Sequence, residues 1–438
     1  MAKIIVAGGG HGAIACAAVL AENGFDVTVY EQHKREDMGY DWTDIFDGRT
    51  LKPLGIPYPE KDKYTVKSDV IFCGPSENNY FVQRSPKNQP EIRMERKDIY
   101  NLLIDFAVSK GVKFEFEHNI KSALLAGDRV TGIKTDKGEY YADLVLDGCG
   151  CESVIRKTLP DCLGIQKNLK ENDLFYVYRA FYNRKAKDTV ENRFKLTLFS
   201  NGHHGISWVT TEDDYTDVLI GRFKPFNKKE ANEALAQIRA MNEALGAKKL
   251  RGGSFATIPI RQTLAIMVAD GYAAIGDSAF MTTPLIGSGI ANALKAAKIL
   301  ADVIIADETK TYSAETLWKY QRKYYQSVGM IITPFALLKN VVASMTPEQI
   351  DYVFDSGILE AKSKAAKIPH AKAAELSTNA LEILVRVRNL FSDKQLKKLI
   401  GNTITKIAKL SLLISSMPKE YSRNEVQKWA QKYNRMFD

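Results

Sequence analysis

The sequence predicts an α/β (α+β) protein: a Rossmann-like dinucleotide-binding domain, an antiparallel-sheet domain and a helical C-terminal region. Three observations carry this. An apolar strand leads into a glycine turn, an alanine-rich helix and a second strand within the first 31 residues. Residues 160–265 place their apolar side chains in short strand-like runs, and from Ser313 onward the period is helical. At 438 residues and 45% apolar content, the chain can build two or three domains with sizeable cores.

In order, Lys3–Ala7 reads as a buried strand, and the helix after it runs to Asn23, where Gly24 is placed to stop it. Asp26–Tyr30 is the second strand. Residues 55–90, rich in Pro, Asn and Ser, suggest loops and edge strands. A helix over Asp98–Ser109 precedes a strand at Lys113–Glu117. Gly127-Asp128 and Lys137-Gly138 sit at hairpin positions around Val130–Thr135, and Ala142–Leu146 is another buried strand. Phe175–Tyr182, Phe194–Phe199, Gly205–Thr210 and Asp217–Phe223 are expected as antiparallel strands, with a helix over Lys228–Leu245. Tyr272–Ile275 and a helix over Gly289–Ala306 return to the α/β pattern. Helix breaks are expected at Pro334, Pro347, Pro369 and Pro418. The dinucleotide-binding domain is then discontinuous (1–55, 91–160 and 266–312). A substrate domain takes 56–90 and 161–265, and a helical region takes 313–438.

No secretory leader and no run of about 18 apolar residues is visible, so a spanning helix is not expected. The five cysteines form no CxxC pair, which argues against a disulfide framework or a metal site and for a cytoplasmic protein. The formal charge is +9, and residues 381–438 contribute twelve Lys/Arg against five Asp/Glu. The tail's bases alternate with aliphatics at helical spacing, a pattern that disfavours nucleic acid.

Gly8-Gly9-Gly10-His11-Gly12-Ala13 fits the G-x-G-x-x-G/A dinucleotide fingerprint. Glycines at such a turn let backbone N–H groups approach a pyrophosphate at a helix N-terminus. Glu31, at the end of the second strand, is placed to accept from adenosine ribose hydroxyls. This motif alone does not separate FAD from NAD. A second segment, Gly276-Asp277-Ser278-Ala279, follows a strand and precedes Pro284-Leu285-Ile286-Gly287-Ser288-Gly289-Ile290, which opens a helix. Asp277 could bind the ribityl hydroxyls of a flavin, and the new helix's positive end could stabilise charge at its N1–C2=O edge.

Together these motifs resemble the para-hydroxybenzoate-hydroxylase-type FAD superfamily, and within it the geranylgeranyl reductase branch. Arg96 stands where that superfamily has an arginine beside the ribityl–pyrophosphate part of FAD, and Ile120 where a strand passes the adenine. Ala142–Gly150, with Ser153 and Arg156, parallels the family's DLVV-x-A-D-G-x-x-S-x-x-R segment; Ile258-Pro259-Ile260 and Leu317-Trp318-Lys319-Tyr320 also resemble the reductase branch. The resemblance covers residues 1–330 and implies an FAD-dependent oxidoreductase. The acid of the family's Asp-Gly pair is Cys149 here, and the halogenase Trp-x-Trp-x-Ile-Pro motif is missing. No second G-x-G-x-x-G exists, so NAD(P)H or another electron donor, such as reduced ferredoxin, would bind only transiently.

Tyr40 and Asp41 lie where the family's chain passes the isoalloxazine ring, and either could donate the proton that completes a double-bond reduction. A packing loop is the competing reading. His203 or His204 could line the substrate sheet, and Cys149 with Cys151 could form a redox pair, although glycine-flanked small residues commonly just fit tight backbone. In Phe391–Met417, Leu396, Leu399, Ile400, Ile404, Ile407, Leu410, Leu413 and Ile414 form an apolar stripe, with Lys394, Lys397, Lys398, Lys406 and Lys409 elsewhere. Such a helix can cover the protein's own core, lie on an anionic membrane or meet a second copy in a homodimer. The expected activity is reduction or oxidation of a carbon–carbon double bond in a hydrophobic substrate such as a prenyl lipid. The alternatives are an aromatic hydroxylase of the same fold and a flavin-bearing redox sensor without turnover.

Overall fold

The computed structural model describes residues 1–86, 88, 90–185, 194–359 and 380–438. Lys3–Ala7, buried after its first residue, lies inside a six-stranded sheet. The order across it is Val268–Ala269, Tyr272–Ala274, Leu144–Asp147, Lys3–Ala7, Asp26–Tyr30 and Lys113–Glu115. All neighbours run parallel except the first pair. The register aligns Ala7 with Tyr30 and Asp147, and Asp147 with Ala274. The carboxyl ends of these strands therefore form one row, and the segments after them all leave from the same edge. Open parallel sheets bind ligands at that edge. Helix α1 (His11–Glu22), almost wholly buried, packs on α2 (Arg96–Ser109).

A second sheet of seven strands is built mainly from 174–259. Its order is Leu245–Pro259, Leu174–Arg184, Tyr215–Arg222, Gly205–Thr211, Phe194–Leu198, Val70–Cys73 and Tyr80–Gln83. The last two strands come from the 55–90 stretch, and Val70–Cys73 joins parallel to Phe194–Leu198. Helix α3 spans Lys228–Ala240 and stops five residues before the expected Leu245. The chain then enters the long strand Leu245–Pro259, which the sequence did not announce. Its pairing with Leu174–Arg184 slips at several places, and Gly252 and Gly253 adopt φ +70 and +93. Bulges of this kind erase the period of two that marks a strand.

Where this sheet meets the small sheet of Thr43–Phe46, Ile92–Glu95 and Tyr64–Val66, a charged network is buried. Arg179 donates to Asp217 Oδ1 at 2.9 Å and Oδ2 at 2.5 Å, and to Thr43 Oγ1 at 2.6 Å. Arg93 donates to Asp217 Oδ2 at 2.9 Å and also pairs with Glu212. Arg93, Arg179 and Asp217 are all more than 90% buried. Two guanidiniums thus share one fully buried carboxylate, and among the described residues only Arg93 has a second.

Helix α4 (Ile290–Ile305) returns to the first sheet and packs against α1. The helical run Ala314–Ser344 (α5) corrects one expectation. It passes Pro334 without ending, with a π-helical turn at Tyr325–Gly329 upstream. It also contains an 18-residue window long and apolar enough by composition to cross a membrane, although no unbroken apolar run is present. Of that window 61% is buried, and Tyr325 donates to Leu264 O at 2.7 Å inside the protein, so much of this surface packs within the fold. Pro347 opens α6 (Pro347–Asp355) behind a Thr346 cap, whereas Pro369 lies outside the described residues. The C-terminal helices are α7 (Ala380–Leu390), α8 (Lys394–Ser415) and α9 (Arg423–Asn434), and Pro418 separates the last two. Most of the α8 stripe faces inward: Leu396, Ile400, Ile407, Leu410 and Ile414 are buried and the helix packs on α7 and α5. Leu399 and Leu412 stay exposed, at 39% and 72%.

Candidate cofactor and active site

Two helix N-termini converge at the carboxyl edge of the first sheet. Gly8 follows the first strand at φ +84, and its N–H donates to Tyr30 O at 2.8 Å. A Cβ there would stand 2.8 Å from both Gly148 O and Cys149 Cα. Ala13 packs on the same crossover: a Cβ on Gly148 would approach the Ala13 methyl to 2.6 Å. Gly12 has a different reason. A Cβ on it would meet Ala293 O at 2.7 Å, so the missing side chain lets α1 cross α4 closely. That crossing joins two motifs separated by more than 260 residues. Neither α1, capped by Gly10, nor α4, capped by Gly289, has a side chain bonded to its first N–H groups, and neither carries an acid in its first turn. Open N–H groups with the positive helix end behind them suit an anionic ligand.

His11 opens α1, and its Nε2 is buried with no partner. Its ring stacks on Tyr100 of α2 with centroids 4.4 Å apart. Burial, reinforced by nearby Arg96, lowers the His11 pKa to about 4, so the imidazole is neutral at pH 7. The folded value lies below the unfolded 6.5, so the protonated form favours unfolding. Stability should be intact above about pH 6.5 and fall progressively toward about pH 4. Urea midpoints at pH 7 and pH 4.5 measure this; a His11→Asn protein should lose less stability over that interval than the parent.

Glu31 ends the second strand with both oxygens engaged. Oε2 accepts from Gly9 N at 2.8 Å, and Oε1 from His33 N at 3.0 Å. Ile120, buried, starts the strand after His118, whose N–H donates to Glu31 O at 2.9 Å. On the opposite wall, Gly276–Ala279 forms a single turn in which Asp277 Oδ1 accepts from Thr282 Oγ1 at 2.6 Å. The Asp277 side chain reaches solvent but is walled in by protein, and burial pushes its pKa above the usual carboxylate value. Pro284 is buried, Gly287 turns at φ +73, Gly289 caps α4 and Ile290 begins it.

Between the walls stands Arg96 at the start of α2, donating to Asp44 Oδ2 at 2.5 Å and Oδ1 at 2.8 Å. Its guanidinium lies 5.3 Å from the Tyr40 ring centroid and 5.7 Å from that of Trp42. Tyr40 is 44% exposed, and burial of its inner side raises its pKa, with Arg96 opposing and Cys151 and Asp277 adding to the rise. Asp41 instead faces the second sheet: it pairs with Arg251, and its Oδ2 accepts from Gly252 N at 3.0 Å. Tyr100, which lies in the electrostatic field of Arg96, Glu31, Asp44 and Asp277, was not singled out from the sequence. Its signal is the i,i+4 spacing from Arg96 on one helix face.

The segment Asp147–Arg156 is a buried brace. Asp147 accepts from Ser153 Oγ at 2.5 Å, Tyr272 OH at 2.8 Å and Cys149 N at 3.0 Å. Arg156 donates to Ser278 O at 2.6 Å and to Cys151 O, which ties the brace to the Asp277 turn. Both cysteines are free, and burial pushes the Cys149 thiol well up and that of Cys151 to about 12. Neither is a ready thiolate. His204 stacks on Phe199 at 4.3 Å and bonds Ala343 O at 3.0 Å, and both it and His203 are exposed. Among the described residues no cluster suited to a metal is present. Uncapped helix ends, an orphaned imidazole nitrogen and glycine-thinned walls fit a bound dinucleotide.

Known proteins share this architecture. Residues 6–52 match the NAD(P)-binding Rossmann-like domain. A digeranylgeranylglycerophospholipid reductase of Haloferax volcanii is 22% identical, over 80% of this chain and 88% of its own length. One from Sulfolobus acidocaldarius is also 22% identical, over 99% and 98%. In structure, a geranylgeranyl bacteriochlorophyll reductase-like protein from Thermoplasma acidophilum superimposes with a TM-score of 0.72 at 19% identity, covering 86% of this chain and 99% of its own. A probable FAD-dependent monooxygenase from Pseudomonas aeruginosa gives a TM-score of 0.61 at 19% identity, covering 81% and 99%.

Proposed function

We propose that this geranylgeranyl-reductase-like flavin oxidoreductase binds FAD across the N-termini of α1 and α4 and reduces carbon–carbon double bonds in a prenyl lipid. The observation that carries the reading is the Gly12–Ala293 crossing, which makes one cleft of the two uncapped helix ends. Relatives named as digeranylgeranylglycerophospholipid reductases, matching 80% and 99% of this chain, support the substrate class.

In this reading the backbone at Gly8, Gly10, Gly12 and Ala13 receives the pyrophosphate, with Arg96 beside it, while Glu31 accepts from the adenosine ribose and Ile120 flanks the adenine. Gly276 and Asp277 would hold the ribityl chain, and Gly287, Gly289 and Ile290 would present N–H groups to the flavin's N1–C2=O edge, with Pro284, which has no N–H, fixing the turn that leads into them. An FAD held by these residues would supply hydride-transfer chemistry, with NAD(P)H or another transient donor as its source of electrons. Tyr40 is a phenol at neutral pH, its raised pKa only binding the proton more firmly, and it holds that proton for the second carbon. Asp41, tied to Arg251 and Gly252, acts instead as a latch between the cleft and the second sheet. The exposed Lys394, Lys398, Lys409 and Leu412 of α8 are proposed to bring the protein to an anionic membrane where such lipids reside.

The test is photoreduction of the purified protein under argon, followed by prenyl, enone and phenolic compounds. Spectral reoxidation by a prenyl lipid alone supports the proposal; reoxidation that requires oxygen and a phenol turns it into a hydroxylase. A Tyr40→Phe protein should keep its flavin yet turn over at least about tenfold more slowly, as expected for loss of a proton donor. Unchanged turnover removes Tyr40 from the mechanism.

A further inference from the structure

Between the segments just before Leu174 and just after Pro259, α5 and the C-terminal end of α9 lies a partly open cavity of about 120 Å³. That is room for several waters or one tetrahedral oxyanion. Its inner wall holds two cations that the cofactor site does not use. Arg261 is 2% exposed and Lys339 is 5% exposed. Arg261 donates Nη2 to Gln166 Oε1 at 2.6 Å, Nε to Gln262 O at 3.2 Å and Nη1 to Asp173 Oδ2 at 3.4 Å. Lys339 Nζ donates to Asn172 O at 2.6 Å. Of eight N–H donors on the two groups, these bonds occupy four, and a guanidinium and an ammonium lose none of their charge to amide acceptors. Asp173 is the carboxylate against both, and it also accepts from Lys170 N at 3.0 Å. At the rim Lys170 faces the Asp438 carboxylate at 3.4 Å. The lining therefore carries three positive and two negative side chains, and its buried part carries an excess positive charge. Leaving charge on buried groups such as Arg261 and Lys339 uncompensated is costly, and a small anion relieves it.

We propose that this cavity is a binding site for a phosphate-class oxyanion, held by Arg261 and Lys339. The site goes beyond the proposed double-bond reduction and stands whether or not that activity is found. Burial lowers Lys339 to a pKa of about 8, with Asp173 opposing the shift and Arg261 adding to it, and an anion beside the amine would restore its proton. The site also touches the cofactor wall. The Arg261 guanidinium lies 4.6 Å from the Phe280 ring centroid, and Arg156 lies 4.6 Å from the same ring. Phe280 in turn donates its N–H to Asp277 O at 3.1 Å. An anion that draws Arg261 inward thus acts on the residue that follows the turn.

The experiment is calorimetry at pH 8 on the protein saturated with its cofactor, so that the dinucleotide cleft is closed to the probe. Inorganic phosphate and a water-soluble glycerophosphate ester are titrated separately, in two buffers of different ionisation enthalpy. Saturable phosphate binding with proton uptake is expected, and a Lys339→Gln protein should bind at least about tenfold more weakly and without the proton. Lys170→Ala, at the exposed rim, controls for a folding defect and should weaken binding less. Binding of the ester but not of free phosphate assigns the site to a lipid headgroup; binding of free phosphate with no competition from the ester assigns it to a free effector. No heat from either probe, or binding equal in the parent and Lys339→Gln proteins, overturns the proposal and leaves a water-filled cavity.

Discussion

A Gly12→Val protein should be recovered colourless and less stable than its parent. The valine Cβ would begin 2.7 Å from Ala293 O and 2.9 Å from its methyl, and the two further methyls have nowhere to go between helices this close. Both neighbours belong to the backbone or to a methyl stem, so no flexible side chain can swing aside. Forcing α1 from α4 should cost about 1–3 kcal/mol of stability, the usual range for overpacking. The larger effect is on the ligand, because the crossing aligns the two helix N-termini. Flavin content after purification, read from the visible spectrum and by extraction, should fall to background while circular dichroism shows a folded chain. Full flavin content in Gly12→Val would show that the two helix ends need not approach so closely.

An Asp217→Leu protein should lose about 3–5 kcal/mol, the cost of removing one partner from buried charges. Asp217 is fully buried and accepts from Arg179 through both oxygens and from Arg93 through Oδ2. Its loss strands Arg179 without a carboxylate, whereas Arg93 keeps Glu212. Since a domain is commonly stable by only about 5–15 kcal/mol, much of the margin between the two sheets would be gone. Chemical denaturation measures the loss. Adding Arg179→Met to Asp217→Leu should recover part of it, because the orphaned charge leaves with the side chain. A loss under about 1 kcal/mol would mean that water already shares this network.

Legibility in the sequence followed the range of the interaction. The turn at Gly8, the acid at Glu31 and the run Pro284–Ile290 are local requirements of backbone, charge and helix start, so their spacing reveals them without tertiary contacts. The two motifs predict a shared site only through the family resemblance; the contact that joins them, Gly12 on Ala293, has no pattern of its own. Long-range pairs were equally silent. Asp44 against Arg96 and Asp41 against Arg251 link residues 52 and 210 positions apart. No periodicity marks such pairs, and Asp41 therefore looked as available for chemistry as Tyr40. The strand Leu245–Pro259 went unseen because its bulges break the alternation, and the α5 run went unrecognised because Pro334 reads as a stop when the neighbouring π-helical turn is unknown. The α8 stripe was visible, but which of its competing uses prevails depends on the packing of α7 and α5.

Helices α1 and α4 are proposed to make one flavin site between them. The most direct test is titration of the flavin-free protein with FAD, FMN and NADPH in separate experiments, followed by flavin fluorescence and calorimetry. One FAD per chain, with FMN much weaker because it lacks the adenosine that Glu31 would hold, is the predicted result, and Glu31→Ala should narrow the difference between the two flavins. Saturable NADPH binding with no affinity for FAD would contradict this: the Gly8–Ala13 turn would then serve a nicotinamide cofactor, and the Asp277 turn would have no flavin to hold.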